Sequence, residues 1–282
     1  MEFVERQLQF TFSGEHVGTL SVSGLRAFAA IQAIEGRLGV SAQVRIWGLS
    51  LAQMNTYSSR LSSGVGIEQF SLVIEAGDIG GTLHKVIDAP IWRSFIDLSG
   101  APESAFDVSV SGTLYPSAKP MAAQAQRGAQ AAEALIQAIC NVSGLTLHNN
   151  GAHAMLTNHA TYGSAIDQIE DIARAARFRF YIDGTQVFLW PPGSHRDEVV
   201  IDVGPAASTR MVGYPRWWEA GLIVETLFNA DIQVGRQLNV TSSVPKANGI
   251  WDIVNVQHTL MTMERNAPWF TTAILAPPSG AA

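Results

Sequence analysis

The sequence predicts a mainly β protein with an α+β insertion, in which two antiparallel β-barrel or sandwich domains flank a small α+β module. Three observations predict it. Apolar residues alternate with period two in residues 7–12, and further strand candidates separated by Gly, Ser, Asn and Pro clusters recur through the first 115 residues. Pro116 and Pro120 then interrupt the strand pattern and open an alanine-rich stretch that runs on to an Asp-Gly hairpin signal. Short strand patterns return after Pro191-Pro192-Gly193. The boundaries drawn from these changes are 1–115 for the first β domain, 116–195 for the insertion and 196–282 for the second β domain.

In QLQFTF, residues 7–12, Leu8, Phe10 and Phe12 share one face, as a half-buried strand requires, and Ser13-Gly14 reads as the following turn. Further strands are expected over 25–34, 44–47, 70–75, 92–98 and 106–114, separated by Gly, Ser, Asn and Pro clusters. Residues 49–61, LSLAQMNTYSSRL, predict a short crossover helix with Ser50 as its cap, carrying Leu51, Met54 and Leu61. The alanine-rich stretch 121–140 predicts a helix ended by Asn141 and Gly144. A second helix is expected from Ser164, with Asp167 in its first turn and Ile166, Ile169, Ile172, Ala173 and Ala176 on one stripe. Both helices need a sheet to cover, and residues 178–182 and 186–190, joined by a two-residue turn at Asp183-Gly184, supply one. In the last segment Asn248-Gly249 reads as a type I′ turn before a strand over 250–256. Trp251, Trp269 and Phe270 are expected to fill the second β domain.

Composition bounds the function. Of the 282 residues 47% are hydrophobic and only 15% charged, below the quarter usual for soluble domains, so the surface is expected to meet other protein. Mean hydropathy is +0.13, yet no run approaches the roughly 18 apolar residues of a membrane span, so no membrane insertion is expected. The N-terminal MEFVERQLQF carries Glu2 and Glu5 and has no basic segment followed by an apolar core, which excludes a secretory signal and predicts a cytosolic product. A net charge of −6 repels polyanions and gives no footprint of a nucleic-acid binder. Cys140 is the single cysteine, and within AAEALIQAIC it reads as a small buried apolar residue.

Chemistry-bearing residues are present without a catalytic pattern. His148, His153 and His159 lie among Asn149, Asn150 and Asn158, but their spacing places no two on one helix face and no Cys or acidic residue is near in sequence, so they read as loop residues and not as zinc ligands. His195, beside Arg196, Asp197 and Glu198, reads as part of a charged linker. The glycine-rich runs 63–66 and 77–81 lack the Lys-Ser/Thr of a phosphate loop. No G-x-S-x-G, H-E-x-x-H or C-x-x-C occurs, so no catalytic residue, metal ligand or cofactor is assigned; a carboxylate pair distant in chain order stays open. The aromatic residues say more. Trp217-Trp218 follow Gly213-Tyr214-Pro215, and adjacent strand residues point in different directions, so at least one ring must be exposed or docked. Tyr214, Trp217 and Trp218 are the candidate protein-interface residues.

Three segments together carry a family resemblance. VRIWGLSLAQMN and FSLVIEAGDIGGTLHKVIDAPIWRSFIDLSGAPESAFDVSVSG resemble the first tube-like domain of central baseplate hub proteins of contractile-tailed bacteriophages. MVGYPRWWEAGLIVETLFNADIQVGRQLNVTSS, with NGIWDIVNVQHTLMTMERNAPWFTTAI, is similar to that family's closing β-barrel. One departure is local: where such proteins often have Phe-x-Gly after the Ala-Gly hairpin, this chain has Val86-Ile87-Asp88-Ala89, which leaves a turn or a bulge open there.

The resemblance implies two tail-tube-like domains and a homotrimer, giving a ring of six similar domains around a DNA channel. That ring would adapt a sixfold tail tube, or a distal tube protein, to a trimeric spike, with baseplate wedge proteins around it. DNA would pass without specific binding. It also implies a virion location after assembly in the host cytoplasm, no cofactor and no enzymatic activity. Related readings are the hub part of a tailocin or of a secretion-system spike. From other classes, a cell-wall hydrolase would need a convergent pair among Asp167, Glu170, Asp171, Asp183 and His159, and a carbohydrate-binding module would use Trp217 and Trp218 as a stacking platform.

Overall fold

A computed structural model describes residues 5–58, 70–118, 120–219 and 221–278. In chain order the first elements are β1 (Arg6–Gly14), β2 (Val17–Ser23), β3 (Ala27–Ile34), β4 (Gly39–Trp47), α1 (Leu51–Tyr57), β5 (Phe70–Asp78), β6 (His84–Asp97) and β7 (Ala105–Ser111). Then come α2 (Leu114–Ala118), β8 (Pro120–Ala125), β9 (Ala129–Ala131), α3 (Ala132–Ser143), β10 (Thr146–Asn149), β11 (Met155–Thr157), β12 (Ala160–Ser164), α4 (Ala165–Ala176), β13 (Arg179–Asp183) and β14 (Gln186–Trp190). The last are β15 (Val200–Gly204), β16 (Thr209–Arg210), β17 (Arg216–Trp218), β18 (Gly221–Leu227), β19 (Gln237–Val240), β20 (Gly249–Thr262) and β21 (Trp269–Ala276). The protein is mainly β, as its alternation predicts. Two compact units form: one from Met1–Gln32, Ser41–Gly112 and Gln257–Phe270, the other from Ala33–Val40, Thr113–Val256 and Thr271–Ala282. Strands β3, β4, β20 and β21 each contribute residues to both.

In the first unit the strands follow the order β2-β1-β5-β6-β7-β4-β3-β20-β21. The pairs from β2 to β4 are antiparallel. Leu8, Phe10 and Phe12 all face the core, as predicted, and Phe12 packs on Phe106 and Tyr57 with ring centroids 6.0 and 5.2 Å apart. Burying each such side chain contributes roughly 1.5–3 kcal/mol. The β1–β2 turn falls at Glu15-His16, two residues after the expected Ser13-Gly14, because Gly14 still pairs with Val17. The crossover helix forms with Ser50 and Gln53 in a reciprocal capping box; Met54 is buried, Leu51 is exposed and Leu61 lies outside the described residues. Tyr57 is the other buried residue of α1, and Ser94 donates to its carbonyl at 2.6 Å. The open question at Val86 resolves as a bulge: Ile87 pairs with Ile74 and Lys85 with Glu75, leaving Val86 as the extra residue. Trp269 belongs to this unit and not to the closing one, buried with the Arg6 guanidinium 5.6 Å above its ring.

The second unit holds the α+β insertion. Helices α3 and α4 bury Ile136, Ile139, Ile166, Ile169 and Ile172 against Phe180, Ile182, Val187 and Leu189 of a three-stranded sheet ordered β10-β14-β13. Ser164 and Asp167 cap α4 reciprocally, and Gly144 closes α3 in the left-handed conformation, with Asn141 inside the helix. The long helix expected over 121–140 is corrected: its first half is strands β8 and β9, and α3 begins only at Ala132. Alanine favours helix, but here β8 pairs with β12 and β9 with β11, partners that arrive 24 to 44 residues later, so tertiary pairing overrides propensity. The hairpin forms with Asp183 opposite Gln186, so its two loop residues are Gly184 and Thr185; a positive φ (59°) at Gly184 alone fits a type II′ and not a type I′ turn. Asn248-Gly249 is no type I′ turn either. Asn248 has φ −72° after a 3₁₀ turn at Pro245–Ala247, and its side-chain oxygen accepts from the Ser242 backbone amide at 2.7 Å. The remaining strands of this unit include parallel pairs, β15 with β16 and with β19, beside antiparallel β17–β18 and β19–β20.

Candidate interaction surface

Among the described residues β17 pairs with β18 alone, so it is an edge strand. Its register sets Arg216 opposite Ile223, Trp217 opposite Leu222 and Trp218 opposite Gly221. Side chains opposite one another share a face, so the two tryptophans leave opposite faces of the ribbon. Gly221 is required by its surroundings: a Cβ there would stand 1.9 Å from the Leu275 carbonyl oxygen of β21. Trp217 sits on the face of buried Leu222 and meets Trp251 edge-on at 6.0 Å, while the Trp251 indole N–H donates to the Ala247 carbonyl at 3.0 Å. Trp217 is thus held at one side, and all three rings are open to solvent: Tyr214 is 69%, Trp217 55% and Trp218 46% exposed. Aromatic area of this kind, held by a packed neighbour, suits a protein contact. Two rings on opposite faces do not form the single stacking platform that sugar binding would use.

The histidines do not converge. His148 stacks on Phe188 at 4.9 Å, His153 hydrogen-bonds Glu133, and His159 Nε2 lies 3.3 Å from Asp171. His195 is not simply part of a linker: its Nδ1 is 3.4 Å from Asp252. A histidine facing one carboxylate has an oriented ring and nothing more; catalysis or metal binding needs a third group. No cluster of three or more His, Cys, Asp or Glu able to hold a metal occurs among the described residues. The remaining carboxylates have structural partners: Asp167 caps α4 and pairs with Arg37 at 3.2 Å, and Glu170 pairs with Arg37 and Arg174, both at 3.2 Å.

Sequence reading missed the ionic group around Asp252. Its side chain, 2% exposed, receives Arg179 at 3.0 Å and Gln237 at 3.1 Å, and Arg179 reaches Glu35 with two 2.7 Å hydrogen bonds. Burial lowers the affinity of Arg179 for its proton, but the hydrogen bonds and charges of Glu35 and Asp252 outweigh that and hold it firmly charged. Breaking such a buried group by removing one partner typically costs about 3–5 kcal/mol. The group ties Glu35, which follows β3, to residues of β13, β19 and β20 in the second unit.

With the geometry in hand, the likeness to known proteins is consistent from end to end. A tail protein from Neisseria meningitidis MC58 matches 96% of this chain and 96% of its own at 10% identity, with a TM-score of 0.67. The 43 kDa tail protein of prophage MuSo2 from Shewanella oneidensis matches 96% and 97% of the two chains at 10% identity and a TM-score of 0.61. The E. coli c3393 protein, described as a type VI secretion component similar to T4 tail proteins gp27 and gp5, matches 95% of this chain and 77% of its own at 9% identity and a TM-score of 0.60. No curated protein sequence matches the chain. Identities this low carry the fold alone. The sequence itself matches the family described as baseplate hub gp41 over residues 28–274, nearly its whole length, and the chain belongs to that family of structural phage tail baseplate proteins.

Proposed function

We propose that this hub protein works as a homotrimer, its ring stacked coaxially between a sixfold tail tube, or a distal tube protein, and a trimeric spike, with wedge proteins around it and DNA passing through the channel unbound. The observation that carries the reading is the family match over 28–274 in a chain whose β-rich ends, 1–115 and 196–282, bracket the α+β module of 116–195. Three copies of a subunit with two such β-rich parts present six similar positions to a sixfold partner, and heterologous contacts close at three. Scarce charge supports wide lateral contacts, expected to bury more than about 2,000 Å² each. No enzymatic step is assigned, in keeping with the structural family. Imaging of the intact particle tests the proposal; three copies in a central ring are expected, whereas six copies or a peripheral position would overturn it. The candidate surface is tested separately. Trp217→Ala with Trp218→Ala should leave thermal unfolding nearly unchanged, because half-exposed rings contribute little to the core, yet sharply lower incorporation into purified tails. Normal incorporation would remove these residues from the interface. A related reading, the hub of a secretion machine, is favoured by the likeness to the type VI component; genes for a capsid beside this one would decide for a complete phage.

A further inference from the structure

Strand β2 ends the sheet of the first unit: among the described residues it hydrogen-bonds to β1 and to no other strand. Exposed edges invite pairing, and proteins usually guard them with charge, proline or brevity. Strand β2 is seven residues long, VGTLSVS, and has none of these guards. Its one irregularity is a bulge where Gly18 and Thr19 oppose Ser13, which leaves Leu20–Ser23 regular. Leu20 and Val22 lie opposite Phe12 and Phe10 on the core face, yet they stay half-buried while both phenylalanines are fully buried. One more strand beside β2 would cover them.

The sequence indicates which strand. Residues 17–25 read Val-Gly-Thr-Leu-Ser-Val-Ser-Gly-Leu, which is the same in either direction by residue class: aliphatic, glycine, hydroxyl, aliphatic, hydroxyl, aliphatic, hydroxyl, glycine, aliphatic. Laid antiparallel on a second copy with Ser21 opposite Ser21, the segment places Leu20 opposite Val22 and Thr19 opposite Ser23. Apolar residues then meet on the core face and hydroxyls on the outer face, both favourable cross-strand pairs. A slip by one residue would set Leu20 against Ser21 and send the two faces out of step. We propose that two copies of the unassembled chain pair through β2, antiparallel about a two-fold axis at Ser21, extending the sheet across both molecules and covering the edge until assembly. A two-fold contact cannot by itself close a ring of three, so this surface is separate from the ring contact proposed above and stands or falls without it.

Cysteine scanning of the full chain tests the register, since the native Cys140 is buried and silent. Facing residues in antiparallel strands are within disulfide reach. Ser21→Cys should form linked dimers on mild oxidation about tenfold or more faster than Ser23→Cys alone, because only position 21 faces its own copy. A mixture of Thr19→Cys and Ser23→Cys chains should link one to one. In sedimentation the wild-type chain should be dimeric, and Ser21→Lys, which sets like charges opposite each other, should weaken the dimer about tenfold or more with an unchanged circular dichroism spectrum. A monomeric or purely trimeric wild-type chain, or equal linking rates at positions 21 and 23, would overturn the proposal.

Discussion

His258 lies on β20 and is 6% exposed, and its burial holds the imidazole pKa down at about 4 against an ordinary 6.5. The folded protein therefore prefers the neutral ring. Above pH 6.5 neither folded nor unfolded chain binds the proton, and this residue contributes its full stability. As pH falls from 6.5 towards 4 the unfolded chain takes up a proton that the folded one refuses, and stability declines until both are protonated. The depression corresponds to about 3 kcal/mol lost across that window. Urea unfolding at a series of pH values should show this slope, and His258→Gln, which cannot titrate, should flatten it above pH 5, where most carboxylates stay charged. An equal slope in the variant would place the proton uptake elsewhere. Cys140, fully buried with its thiol pushed up to about 11, is the opposite kind of group: it packs and does not react.

At the scale of elements, the β13–β14 hairpin depends on one backbone conformation. Gly184 has φ 59°, in the left-handed region where a β-branched side chain meets the following carbonyl. Gly184→Val should destabilise the insertion by about 1–2 kcal/mol, read as a lower melting temperature, while Gly184→Asn should lose less because asparagine tolerates this region. Equal melting of Val and Gly forms would refute the turn. This hairpin was legible from Asp-Gly because its cause is local, and so were β1, α1 and α4, whose alternation and capping boxes lie within a few residues. What escaped reading has distant causes. Strands β8 and β9 hide in an alanine-rich run because their partners lie at 155–164; β2 hides because an uncharged edge of Ser, Gly and Thr looks like a loop. The same holds at the candidate site. Adjacent tryptophans announced an exposed ring, but nothing local joins Arg179 to Glu35, 144 residues away, or to Asp252, 73 away.

At the scale of the whole molecule, a hub through which DNA is proposed to pass must let it go. Duplex DNA is held chiefly by cationic side chains that replace condensed counterions, so affinity follows the number of free Lys and Arg on one face. The chain has 18 Lys and Arg against 24 Asp and Glu, and seven of its fifteen arginines are held by other groups. Arg26, Arg37, Arg45, Arg174, Arg179 and Arg236 each pair with carboxylates, and Arg196 is half-buried with its guanidinium 3.5 Å above the Phe188 ring. A paired arginine offers little net field to a phosphate, and the net charge of −6 repels a polyanion from the chain as a whole. The purified chain should therefore give no mobility shift with duplex DNA at micromolar protein, at about 50 mM salt as well as at about 200 mM, where a binder with six to ten phosphate contacts would change affinity by about 10³–10⁵. A complex at low salt that dissolves steeply as salt rises would reveal a basic track along the surface and would turn the proposed channel from a passive conduit into a surface that grips its cargo.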